Sequence, residues 1–161
     1  MNSEPTLRPV APPQSDSKQL LRVWLQLLKV DKAVQAELRE RLRTQFATTL
    51  PRFDVMSALY RRKNGLKMSE LSRLLMVSNG NVTGIVDRLT TDGLILREAV
   101  PGDRRAARAR LTAKGRTEFK KQATAHEAWV AELLGGLDKD NCSVALQLLT
   151  AARATAIKDK T

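Results

Sequence analysis

Two stretches of the chain gather side chains suited to holding anions and reading base edges. Residues 97–112 read REAVPGDRRAARARLT, five arginines with two acids. Residues 78–92 read SNGNVTGIVDRLTTD, an apolar repeat whose other face carries Asn79, Asn81, Thr83, Asp87 and Arg88 with Gly80 and Gly84 between them. Asn presents adenine with a donor and an acceptor together, and Thr touches thymine methyl groups or phosphates. Guanidinium groups such as those of Arg104, Arg105 and Arg108 reach phosphates or enter a narrow minor groove. Bond-breaking chemistry has no comparable cluster. No nucleophile motif, phosphate loop or dinucleotide fingerprint appears, and one histidine with one cysteine is too little for a Cys/His zinc site. Neither an enzyme nor a cofactor or metal is expected.

The whole composition agrees with a polyanionic partner. Among 161 residues, 28 Lys and Arg face 17 Asp and Glu, a formal charge of +11, which favours nucleic acid or an anionic membrane surface. The surplus is clustered: residues 97–116 hold seven basic and two acidic side chains, and residues 51–67 hold five and one. No apolar run approaches the roughly 18 residues of a membrane span, and the N-terminal stretch lacks the apolar core of a signal peptide. A cytoplasmic protein without a membrane partner is expected.

The elements that must position these groups are mostly helices. Residues 1–16 contain four of the six prolines and few large apolar side chains, so a disordered tail is expected. From 17 to about 44, Leu20, Trp24, Leu27, Leu28, Val34, Leu38 and Leu42 recur at helical spacing. That helix, roughly 40 Å long, exceeds what one small domain needs, so part of it should pack on another subunit. Pro51 opens a second helix, Ser69 is the expected cap of a third, and Ser78 caps a fourth that Gly93 closes. The period then switches from 3.6 to 2 over 94–112, a two-stranded hairpin. Two further helices, from 113 and after Asp138, end near 157. Three helices ending in a hairpin make a winged helix-turn-helix over 51–112, with dimerisation helices at 17–44 and 113–157 around it in a single domain over 17–161. The glycines of the fourth helix each cost about 1 kcal/mol against Ala, less for Gly80 in the first turn. Close approach by a partner or by another helix would account for them. The same charge would also serve a sequence-nonspecific, architectural nucleic-acid-binding protein.

The run ELSRLLMVSNGNVTGIVDRLTTDGLILREAVPGDRRAARARLTAKG resembles the signature of the MarR family of bacterial transcription regulators, with VTxxVDRLxxxGLIxR, DRRA and LTxKG in order. The resemblance implies a homodimer reading a pseudo-palindromic operator, probed by small effectors between the dimer layer and the DNA-binding lobe. It matches Ser78, Asn79, Asn81, Thr83 and Arg88 to recognition-helix contacts, Asp103 and Arg105 to the wing acid and minor-groove arginine, and Asp87 to the partner of a wing arginine. At Gly84, where members often carry a long polar side chain, this chain departs from the pattern. The SNGNVTGIVDRL version is similar to that of regulators of aromatic-acid catabolism, including those answering hydroxycinnamoyl-CoA. A repressor released by an aromatic carboxylate or acyl-CoA is therefore expected, with Trp24, Phe53, Met56, Tyr60 and Trp129 as candidate pocket residues. Stripes of this kind are more often core, and His126 reads as a helix-surface or interface histidine. The peroxide-sensing members carry a cysteine near the start of the first helix, whereas Cys142 lies near the start of the last, which disfavours oxidation sensing.

Overall fold

The structure, a computed structural model, describes residues 14–157; the side chains of residues 14, 15 and 104 lie outside that description. Most of the expected N-terminal tail therefore falls outside the described residues, but residues 14–16 are helical, so the first helix begins earlier than expected. The elements run α1 (Gln14–Phe46), α2 (Leu50–Tyr60), β1 (Leu66–Lys67), α3 (Met68–Leu75), α4 (Asn79–Thr91), β2 (Ile95–Val100), β3 (Asp103–Leu111), α5 (Ala113–Leu133) and α6 (Lys139–Ala156). Two compact units divide at Glu37 and Leu38, inside α1.

In the first unit α1 exposes Leu20, Leu21, Val23, Trp24, Leu25 and Val30. In the second unit the core forms where the apolar stripes of α2, α3 and α4 converge: Val55, Met56, Leu59, Leu71, Val82, Val86 and Leu89 are wholly buried, with Leu42 from the end of α1 and Ile95 from β2 nearly so or fully covered. The turn into α2 uses Ala47 at φ 49°, and the Thr49 hydroxyl then accepts the Arg52 N–H at 3.4 Å with Pro51 in the first turn, where no N–H is missed.

Two local expectations are corrected. The cap of α3 is Lys67 rather than Ser69, because Glu70 reaches back to accept the Lys67 N–H at 2.8 Å and so starts the helix one residue ahead of Ser69. The wing has three strands, not two. β1 pairs antiparallel with β3, Leu66 opposite Ala109 and Lys67 opposite Arg108, in the order β1-β3-β2. Gly65 makes that pairing possible: its φ is +73°, and a Cβ there would stand 2.2 Å from the Ala109 carbonyl oxygen. β2 and β3 run from Ile95 opposite Leu111 to a bulge at Ala99 and Val100, around a turn with Gly102 at φ +80°.

α5 starts from Thr112, whose hydroxyl accepts the Gly115 N–H at 2.9 Å, and Gly115 lies so close to the Leu94 carbonyl that a Cβ would meet it at 2.0 Å. α6 has no buried residue, and Val144, Leu146, Leu148 and Leu149 are exposed. Among the described residues no helix is long and apolar enough to cross a membrane.

Candidate nucleic-acid interface

α4 is built to show one face. Ser78 caps it, its hydroxyl accepting the Asn81 N–H at 3.3 Å, and Val82, Val86 and Leu89 anchor the inner stripe. The outer face then presents Asn79, Asn81, Asp87 and Arg88, all exposed. A Cβ at Gly80 or Gly84 would have open space within 4 Å, so neither glycine serves packing inside the chain. Of the two explanations the sequence leaves for them, internal helix packing is removed. Thr83 is half-buried and its hydroxyl donates to the Asn79 carbonyl at 2.8 Å, which commits its proton to the helix and leaves its methyl and lone pairs as the outward groups.

The wing arginines divide into two sorts. Arg97 Nη1 meets Asp87 Oδ1 of α4 at 2.5 Å, and Arg110 Nε meets Glu98 Oε1 of the neighbouring strand at 2.7 Å. The sequence sets five arginines against two acids, and the resemblance implies Asp87 as the partner of one of them; two are paired, Arg97 with Asp87 as implied and Arg110 with Glu98 across the hairpin. Arg108 is half-buried and donates to the Asn64 carbonyl at 3.4 Å. The Arg104 side chain lies outside the described residues. Arg105 is exposed at the tip, and Asp103 fixes its backbone by accepting the Arg105 N–H at 3.1 Å. Beside it a cleft of about 210 Å³ is lined by Lys67, Ser69, Asp103 and Arg105. Lys67 is thus a basic group at this face that the sequence reading missed, because only the pairing of β1 with β3 brings it there.

Of the four candidate pocket residues in the second unit, two share a cavity and two do not. Met56 has no exposed surface, and Trp129 is buried against Phe46, ring centroids 6.0 Å apart. Trp24 is exposed in the other unit. Phe53 and Tyr60 do share a cavity of about 340 Å³, together with Ser57, Arg61, Phe119 and His126. Its rings form a connected set: Phe53 to Phe119 at 5.3 Å, Tyr60 to Phe119 at 5.0 Å, and Phe53 stacked on His126 at 4.5 Å. Burial holds the His126 imidazole below its ordinary pKa. Phe119, Ala123 and His126, at i, i+4 and i+7 along α5, line one side of the cavity. Among the described residues no His, Cys, Asp and Glu group is arranged to hold a metal.

Comparison with known proteins agrees with this arrangement. The MarR family model matches residues 48–107, from the turn before α2 into β3. The uncharacterized HTH-type transcriptional regulator YkoM of Bacillus subtilis (strain 168) is 38% identical over 101 residues, 62% of this chain and 64% of YkoM, so the chain spans a little under two thirds of that relative. Sco3205, a MarR family transcriptional regulator from Streptomyces coelicolor solved in complex with DNA, shares the fold at TM-score 0.77 and 20% identity over 99% of this chain and 95% of that one. A MarR family transcriptional regulator from Silicibacter pomeroyi superimposes at TM-score 0.73 with 32% identity, over 88% of this chain and 97% of its own. With identity at that level over nearly the whole of a relative, and with the motif residues carried on α4 and the wing, the chain belongs to the MarR family.

Proposed function

We propose that the protein is a DNA-binding transcription repressor that acts as a homodimer on a pseudo-palindromic operator. The observation that carries this reading is the outer face of α4, with two glycines that have open space around them and Asn79, Asn81 and Arg88 exposed, together with Arg105 exposed at the wing tip. α4 enters the major groove, where Asn81 and Thr83 meet base edges, and Arg105 enters the adjacent minor groove. Ser78, Asn79, Arg104 and Arg108 fix the register on the backbone, and Asp103 orders the wing tip by accepting the Arg105 N–H. The exposed leucines and valines of α6, and separately those of α1, support a second copy as the partner that covers them.

The effector is an aromatic carboxylate or its CoA thioester. The ring-lined cavity accepts the aromatic part and Arg61 the anionic end. Ser57 and Arg61 also line a second cleft of about 500 Å³ with Arg62 and Leu74, which gives room for a long anionic tail. Occupancy favours a dimer whose two recognition helices are wrongly spaced for successive major grooves. Competition titrations against the DNA upstream of the gene test the reading. An operator binder prefers its site over random DNA by about 10³ or more; equal affinity for both would make the protein an architectural one.

A further inference from the structure

We propose that Asp92 is a positioning residue. Gripped by Arg52 of α2 and joined to Lys114 of α5, it sets the angle at which α4 leaves the rest of its subunit, and through that angle the half-site spacing that a dimer accepts.

α4 ends on an acid. Asp92 is its C-cap, and the Asp92 N–H donates to the Arg88 carbonyl at 3.0 Å. The carbonyls at a helix C-terminus carry partial negative charge, so a carboxylate is repelled there and a cation is favoured. The helix gains nothing from this acid by itself; its partners come from two other helices. Arg52, in the first turn of α2, pairs through Nη2 with Asp92 Oδ2. Lys114, in the first turn of α5, donates from Nζ to the Asp92 carbonyl at 2.9 Å. One residue thus takes a cation on its side chain and another on its backbone.

The next two carbonyls are held by the same end of α5. Thr112 Oγ1 donates to the Gly93 carbonyl at 2.8 Å, and the Thr112 N–H donates to the Leu94 carbonyl at 3.0 Å. The successive carbonyls of Asp92, Gly93 and Leu94 are therefore all taken by Thr112 and Lys114. Those bonds join the end of α4 to α5 alone. The pair with Arg52 adds an attachment to α2, and two attachments to separate helices fix a direction where one would leave a pivot.

Folding alone does not account for the pair. The side chains of Arg52 and Asp92 are 22% and 47% exposed, and ion pairs open to solvent contribute little to stability. Direction matters more at the far end of the helix. α4 has 13 residues, a length of about 20 Å, so a tilt of about 10° at Asp92 displaces Asn79 by about 3 Å. That is close to the rise of one base pair, about 3.4 Å. Paired recognition helices read half-sites a fixed distance apart, so this displacement spoils one register and admits another. The consequence for spacing rests on the function proposed above; the clamp itself does not.

Two measurements test this on the full-length protein. Without DNA, spin labels at Asn79→Cys and Lys121→Cys in a Cys142→Ser background report the separation of α4 and α5, with labelled chains diluted in unlabelled ones. The distance distribution should be about twofold wider in Asp92→Ala and in Arg52→Ala, which serves if the first variant does not fold. It should narrow again in Arg52→Lys, which keeps a cation for Asp92. With unlabelled protein, the DNA probes are duplexes bearing two half-sites that the parent selects from random sequence, at the selected spacing and with two base pairs inserted. The parent should prefer the selected spacing by about tenfold or more and Asp92→Ala by less than about threefold, with affinity for a single half-site unchanged within about twofold. Distributions as narrow as the parent's overturn the clamp. Affinity lost equally at both spacings and on the single half-site overturns the positioning role, because a merely damaged helix gives that result. A parent without spacing preference, whose distributions still widen in the variants, sinks the dimeric operator reading and leaves the clamp standing.

Discussion

The guanidinium of Arg97 in the wing and the carboxylate of Asp87 in α4 stand 2.5 Å apart, so the two parts of the proposed DNA-binding face are tied to each other before any DNA arrives. Both side chains are well exposed, 35% and 53%, and exposed pairs contribute about 0–1 kcal/mol to folding. Asp87→Ala should therefore lower stability by less than about 1 kcal/mol while weakening operator binding clearly. Thermal melts and competition titrations on one sample separate the two effects. The exchanged pair Asp87→Arg with Arg97→Asp should recover part of the affinity.

Arg105 and Arg110 make a matched comparison on one strand. Arg110 already has Glu98 as its counter-charge, whereas Arg105 is exposed at the tip and, among the described residues, is engaged through its backbone by Asp103. Arg105→Ala should weaken binding to operator and random DNA alike and flatten the dependence of log K on log salt by about one. Arg110→Ala should leave that slope nearly unchanged. If the two variants behave alike, the wing does not read DNA through its tip.

Gly84→Ala distinguishes folding from recognition. A Cβ there meets nothing within 4 Å, and Ala favours a helix interior over Gly by up to about 1 kcal/mol, so the variant should melt higher than the parent. The same methyl should reduce operator affinity, because the groove wall occupies the space that the chain leaves open. Higher stability with unchanged affinity would falsify the close approach assigned to this helix.

Gly115→Ala should do the opposite. Its Cβ would stand 2.0 Å from the Leu94 carbonyl oxygen, backbone that has no room to retreat. A loss of at least ~2 kcal/mol in denaturant unfolding is expected, in line with other overpacked core sites.

How much of this was readable beforehand depended on range along the chain. The helix at 79–91 was legible because Ser78, Val82, Val86 and Leu89 signal it within four turns of each other, and the turn at Gly102 likewise. The missing third strand consists of two residues, too short for any alternation, and forms only because Gly65 lets the backbone approach Ala109. Asp87 as the partner of a wing arginine was legible only through the family resemblance, since it lies ten residues from Arg97 on another element, and the pairing of Arg110 with Glu98, twelve residues apart, depends on a register that no local pattern specifies. For the same reason Met56 and Trp129 could not be told from cavity residues: a helical stripe says that a side chain is covered, not by what.

A dependence on pH follows from His126. Burial lowers its pKa from the ordinary 6.5, so near that pH the unfolded chain binds more proton than the folded one, and stability rises with pH. The contribution is fully present above about 6.5 and is lost as pH falls through the lower folded value. Urea midpoints measured between pH 5 and 8 should show this loss in the parent and a flatter profile in His126→Gln.

α6 bears on how such a protein is kept in a cell. A helix of 18 residues in which, among the described residues, no side chain is fully covered draws little of its stability from its own subunit, since helices of this length are marginal in water without packing. In the proposed dimer, a subunit that finds no partner presents an unwound, leucine-bearing segment, the kind of stretch that proteases engage first. Proteolysis would then remove surplus copies while assembled ones persist, trimming the amount of the protein to what can assemble.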